Sequence, residues 1–246
     1  RKSIKDTVDL LNEFGFNSEN MLSYVAVTPM VYYRYKGGNF DSNSKAELRK
    51  YIVIAQVRQI FGTASNSALA SIREALKAAP ADSFSMSNLS NIRFTGDRYL
   101  RYTADEIDAM FDTYEIGAYT FMLLSLLYPN LKYSQKGFHQ DHMHPHTGFE
   151  EGKINGLVLP NGTVIEEDTK EEWRRRRNTL ANLQLIEGRE NESKNATPLV
   201  DWLKDTANSE NVKYLPSDIS YELSNFEEFM EKRQELMSKA LKEILL

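Results

Sequence analysis

The chain of 246 residues carries 30 lysines and arginines against 35 aspartates and glutamates, a net charge of −5. That balance excludes a surface gripping nucleic acid over its whole extent but leaves room for a local basic patch. There is no cysteine at all, so disulfides, thiolate zinc knuckles and cysteine nucleophiles are excluded, which fits a reducing cytoplasm. A hydrophobic fraction of 41% with 26% charged residues suits one large globular domain or two modest ones. No apolar run approaches the ~18–20 residues that span a bilayer, so no membrane role is expected.

In chain order, Ile4, Val8, Leu11 and Phe14 recur at helical spacing and Gly15 supplies a stop, predicting a first helix. Residues 18–38 read as a second, with Ser18 as N-cap and Gly37-Gly38 as its end. A third is predicted over 44–62, closing near Gly62, and a fourth over 66–80, closed by Pro80. Thr103 and Glu106 form a Ser/Thr-x-x-Glu capping box. It opens an increasingly apolar stretch to Pro129, the central helix of a bundle or a pair of them. No repeat and no strand–helix alternation is visible, against a Rossmann fold or a TIM barrel. The opening at Arg1 on an amphipathic pattern suggests a fragment whose N-terminal part is missing.

After Leu131 the texture changes. In "GLVLPNGTVIEE" (156–167), Asn161-Gly162 lies between two β-prone runs and predicts a hairpin. "LANLQLIEG" at 180–188 predicts a short strand ending at Gly188. From Asn225, the spacing of Phe226, Phe229, Met230, Arg233, Leu236, Met237, Ala240, Leu241 and Ile244 predicts a long amphipathic helix packing back on the bundle.

All four histidines fall within "GFHQDHMHPHTGF" (137–149), beside Asp141. A scattered core would not concentrate them so; a metal, a general base or both would. Familiar zinc signatures do not fit. H-E-x-x-H is absent, the deaminase pattern requires cysteines, and H-Q-D-H-M-H is not the order H-x-H-x-D-H. His142-x-His144 could form an amidohydrolase pair, but the barrel it belongs to is missing.

Reading further, "HQDHMHP", "ANLQLI" and "ENESK" follow one another, with Asn182 and Asn191 nine residues apart. In this order the segments resemble the HNH (ββα-metal) endonucleases, whose pattern is Asp-His-apolar-x-Pro, then Asn-Leu-x-Leu, then Asn-x-x-Lys opening a helix. The nearest likeness is to the HNH domain of GmrSD-like, modification-dependent restriction enzymes. It covers about 135–203; the helical remainder fits only in texture. Two departures are the forty residues from His142 to Asn182, which must hold the hairpin at Asn161-Gly162 as an insertion, and Asn191 in place of the family's final histidine.

The resemblance implies a mainly α fold: a helical bundle with a small inserted ββα-metal module and a long C-terminal helix. Its domains would be 1–132, 133–205 and 206–246. His142 would be the general base, Asn182 would hold it or its loop, and Lys194 would meet the scissile phosphate. Asp141 and Asn191 would hold Mg²⁺ or Mn²⁺, hard cations that suit oxygen ligands. His144 would be a donor behind the metal ligands, an additional ligand or a structural residue. His139 and His146 are read as ordinary surface or core histidines. If three histidines converged with Asp141, zinc or nickel could also bind. In "EEWRRRRN", Arg174, Arg175, Arg176 and Arg177 suggest contacts to backbone phosphates, or a solvated helix face paired with Glu171 and Glu172.

The implied activity is metal-dependent DNA hydrolysis restricting foreign or modified DNA, with a ParB-like nucleotide-hydrolysing domain preceding this part in the whole enzyme. The alternatives are a non-enzymatic docking module with a degenerate site, and a nuclease acting on RNA.

Overall fold

Helix α1 (Lys2–Phe14) buries Thr7, Leu10, Leu11 and Phe14, while Ile4 and Val8 stay exposed. The buried stripe follows 7-10-11-14, and the 4-8 pair lies off it. The helix ends at Gly15, in the left-handed region at φ 86°, where a Cβ would come 2.5 Å from the Tyr133 ring. Only glycine serves both the C-cap and that close approach.

The computed structural model describes residues 1–246, with twelve α-helices and one two-stranded antiparallel sheet. Two units are defined by their internal contacts: residues 1–104, 117–135 and 243–246 in one, 105–116 and 136–242 in the other. No helix is long and apolar enough to cross a membrane.

The first unit is helical. The second predicted helix is shorter than its pattern: a 3-10 turn at Tyr24–Val27 leads into α2 (Thr28–Tyr35), with Pro29 in its first turn. Proline supplies no amide hydrogen, so the helix starts there. Helix α3 (Ser42–Val57) is capped by the Asp41 carboxylate, which accepts from the Ser44 amide at 2.7 Å, and runs through the core with Leu48, Tyr51, Ile52 and Ile54 buried. Helix α4 (Ser65–Ala78) follows. The capping-box stretch becomes two helices, α5 (Ala104–Thr113) and α6 (Ala118–Leu127), the second buried from Thr120 onward and packed on α3. Gly117 divides them at φ 155°, a conformation open essentially to glycine alone.

The second unit is built on β1 (Phe138–His142) and β2 (Leu183–Glu187). Between them lie α7 (Glu151–Ile154) and α8 (Glu167–Arg176). After β2 come α9 (Gly188–Lys194), α10 (Leu199–Trp202), α11 (Thr206–Asn211) and α12 (Phe226–Leu245).

The hairpin predicted at Asn161-Gly162 is only a turn. Leu159 N donates to Thr163 O at 2.8 Å, and pairing stops at an isolated bridge between Val158 and Val164. Both valines are more than half exposed and of the two flanks only Ile165 is buried, too little to extend the pairing into strands.

The domain limits read from the sequence also differ. Helix α5 and α12 up to Lys242 belong with the strands, not with the bundle. Phe226 packs on Phe149 and Trp173 at 4.8 and 5.2 Å between ring centroids. Asp108 of α5 accepts from Ser238 and Lys242 of α12 at 2.5 and 2.8 Å. Leu236, expected on the buried face, is 41% exposed.

Candidate active site

Strands β1 and β2 pair antiparallel across the insertion, in the register Asp141 opposite Gln184 and His142 opposite Leu183. Successive side chains on a strand face opposite ways. Asp141 is therefore turned inward and buried, while His142 beside it remains partly exposed.

Asp141 Oδ2 accepts from Gln184 Nε2 at 2.9 Å and lies 3.0 Å from Lys194 Nζ. Lys194 is fully buried, donates also to the His142 carbonyl, and lies 5.6 Å from the centre of the Trp202 ring. Burial pulls its pKa below the ordinary lysine value, with the Asp141 carboxylate opposing. The expectation that Lys194 meets a phosphate is corrected by this placement: its ammonium faces inward and ties α9 to the end of β1.

His142 Nε2 is 3.0 Å from Asn178 Oδ1. Burial holds the imidazole below its ordinary pKa against the opposing pull of Asn178 and Asp141, which favours its neutral form. Neutrality is what a general base requires.

Asn182 is fully buried. Its Oδ1 accepts from His144 N at 2.9 Å, and its Nδ2 donates to the carbonyls of His144 and Arg177 at 3.1 and 2.8 Å. Its own carbonyl accepts from Met143 N at 2.7 Å. Asn182 thus clamps the backbone just beyond His142. Arg233, from α12, donates to the carbonyls of Ala181 and Leu183 on either side of it.

Asn191 sits one turn before Lys194 on α9, half-buried, with no hydrogen bond from its side chain. Asp141 Oδ1 likewise has no partner within the protein. A carboxylate oxygen and an amide oxygen are donors of the type that a hard cation takes. No three His, Asp or Glu side chains are grouped to hold a metal, so the convergence of three histidines considered for zinc or nickel does not occur.

His144 departs from the strand. It is 2% exposed, packed edge-on against Phe226 and Phe229 at 5.5 and 4.7 Å between ring centroids. Burial, with Lys194 and Arg233 adding to it, pushes its pKa down to about 3. Of the roles considered for it, this is the structural one. His146 is exposed, its ring centroid 6.0 Å from that of His142. His139 is exposed beside Gly188.

The arginine run divides. Arg174 donates to Phe149 O at 3.2 Å, and Arg177 lies over the Phe149 ring at 5.9 Å. Arg175 pairs with Glu172 at 2.7 Å. Arg176 makes no side-chain hydrogen bond and lies near enough to Glu172 to help lower that carboxyl's pKa. Arg174 and Arg175 are thus engaged within the protein, while Arg176 and Arg177 make no side-chain hydrogen bond or ion pair, the Arg177 Nε being buried without a partner.

Asn178 and Gln184 were missed in the sequence. Gln184 could have been found, because alternation from Asn182 places it inside the strand pair. Asn178 follows the arginine run and carries no signal of its own. Searched against protein-family models and against curated proteins, the chain matches none.

Proposed function

We propose that this protein is a metal-dependent DNA endonuclease of the ββα-metal kind. The observation that carries the reading is the pairing of Asp141-His142 with the strand after Asn182 across residues 143–182, directly followed by the helix bearing Asn191. Two strands and a helix present the three sequence segments in the order the chemistry uses them.

In this reading neutral His142 takes a proton from water. The water oxygen forms its bond to phosphorus as the bond to the 3′ oxygen breaks, and that oxygen takes a proton from solvent. Asp141 and Asn191 would hold Mg²⁺ or Mn²⁺, which supplies charge relief on the phosphate and the departing oxygen. Asn182 and Lys194 keep His142 and Asp141 in place from behind. A role in restricting foreign or modified DNA, with a preceding ParB-like domain, belongs to the same reading.

The test is plasmid nicking with Mg²⁺ or Mn²⁺ against EDTA and a His142→Ala variant. Metal-dependent cutting that the variant loses supports the proposal; equal cutting by both sinks it. One observation favours a docking module instead: the Lys194 ammonium already neutralises Asp141. That reading expects DNA binding unchanged in EDTA and no cutting under any condition.

A further inference from the structure

We propose that Asn178 is a positioning residue whose side-chain carbonyl accepts from His142 Nε2–H and leaves Nδ1 as the nitrogen that takes the proton. The catalytic half of this inference rests on the nuclease reading; the protonated nitrogen rests on the geometry alone.

The two nitrogens of a neutral imidazole are not equivalent, and the partner of one decides the state of the other. The Asn178 Oδ1 to His142 Nε2 distance of 3.0 Å is the only hydrogen bond His142 makes through its ring. An amide oxygen can only accept, so the proton belongs on Nε2. Nδ1 then keeps its lone pair, on a side chain that is partly exposed.

Asn178 is itself held. Its carbonyl accepts from Ile116 N at 2.8 Å, and Thr179 pairs as a β-bridge with Glu115. Thr179 Oγ1 donates to Arg176 O at 2.8 Å, closing the turn at the end of α8. The imidazole is therefore fixed at its tip by Asn178, and its backbone by Lys194 below and Asn182 just beyond. A neutral amide cannot itself take the proton, so it orients the ring through the whole step. As the water O–H bond breaks, the proton goes to Nδ1 and the oxygen's electron pair to phosphorus. The imidazolium that forms keeps its Nε2–H on Asn178.

The experiment is long-range ¹H–¹⁵N NMR of the histidine rings in the whole chain at pH 8 with Mg²⁺, on wild type, Asn178→Ala and Asn178→Asp, beside plasmid nicking. The buried His144 ring reports in the same spectra that the fold is intact. We expect His142 protonated on Nε2, with that proton protected from exchange in wild type and exposed in Asn178→Ala. Turnover should fall about 10–100-fold in Asn178→Ala, the range for losing a partner that orients a histidine, with KM little changed. Asn178→Asp, which still accepts, should keep the Nε2 proton and recover most of the rate. A proton on Nδ1 in wild type, or an Asn178→Ala variant with unimpaired turnover, overturns the proposal. A protected Nε2 proton in a wild type that cuts nothing overturns its catalytic half and the nuclease reading together, and leaves the hydrogen bond standing.

Discussion

Lys194 Nζ lies 3.0 Å from Asp141 Oδ2, and neither residue is more than 7% exposed. A buried pair of this kind is costly to break from one side, because the remaining charge stays desolvated. Lys194→Met should destabilise the protein by about 3–5 kcal/mol in urea unfolding. Replacing both partners, as Asp141→Asn with Lys194→Met, should recover much of that loss. A double-variant loss equal to the sum of the two single-variant losses would mean that the pair carries no coupling.

His144 predicts a pH dependence. Its folded pKa is about 3 against an ordinary 6.5. As pH falls below 6.5 the unfolded chain takes the proton first, so the contribution is full above that value. It is lost progressively down to about pH 3, at roughly 1.4 kcal/mol per pH unit. His144→Leu should flatten the slope of unfolding free energy across this window. A slope identical to wild type would assign the acid sensitivity to other groups.

Asn182→Ala should orphan the His144 amide and the carbonyls of His144 and Arg177 in a dry interior. We expect roughly 3 kcal/mol of lost stability and a loss of nicking beyond the fraction unfolded, because the backbone after His142 is released. A variant that cuts at the wild-type rate while folded would separate the clamp from the chemistry.

Among the four arginines, Arg176→Ala should reduce the slope of log affinity for DNA against log salt by about 0.9, the contribution of one phosphate contact on duplex. Arg174→Ala should instead cost stability, about 1–2 kcal/mol, through its bond to Phe149 O. Equal salt slopes in wild type and Arg176→Ala would remove this arginine from the DNA surface.

The helical character and the long C-terminal helix were legible because their signals are local: periodic apolar spacing, capping residues, Gly15 and Pro80. The strand at 183–187 was legible from its β-prone run, and Asp141 and His142 from the crowding of histidines. What stayed hidden depended on long-range register. Lys194 looks like a surface lysine until the helix after β2 folds against β1, and His144 looks like a ligand until Phe226 and Phe229 arrive from far along the chain. Asn178 was invisible because nothing near it in sequence says that it will meet a residue 36 positions earlier. The weak hairpin at Asn161-Gly162 erred the other way: its turn chemistry was right, but Val158 and Val164 found nothing to cover them.

The chain passes through the two units alternately, and α5 is the shortest of these passages on the side of the strands. A segment beginning at 133 would carry every histidine and the three site asparagines, Asn178, Asn182 and Asn191, yet leave Asp108 behind, stranding Lys242 and Ser238. The unit with the candidate site is thus not a cassette that one pair of recombination breakpoints could lift into another gene. Its inheritance is tied to that of the helices through which its own sequence is threaded.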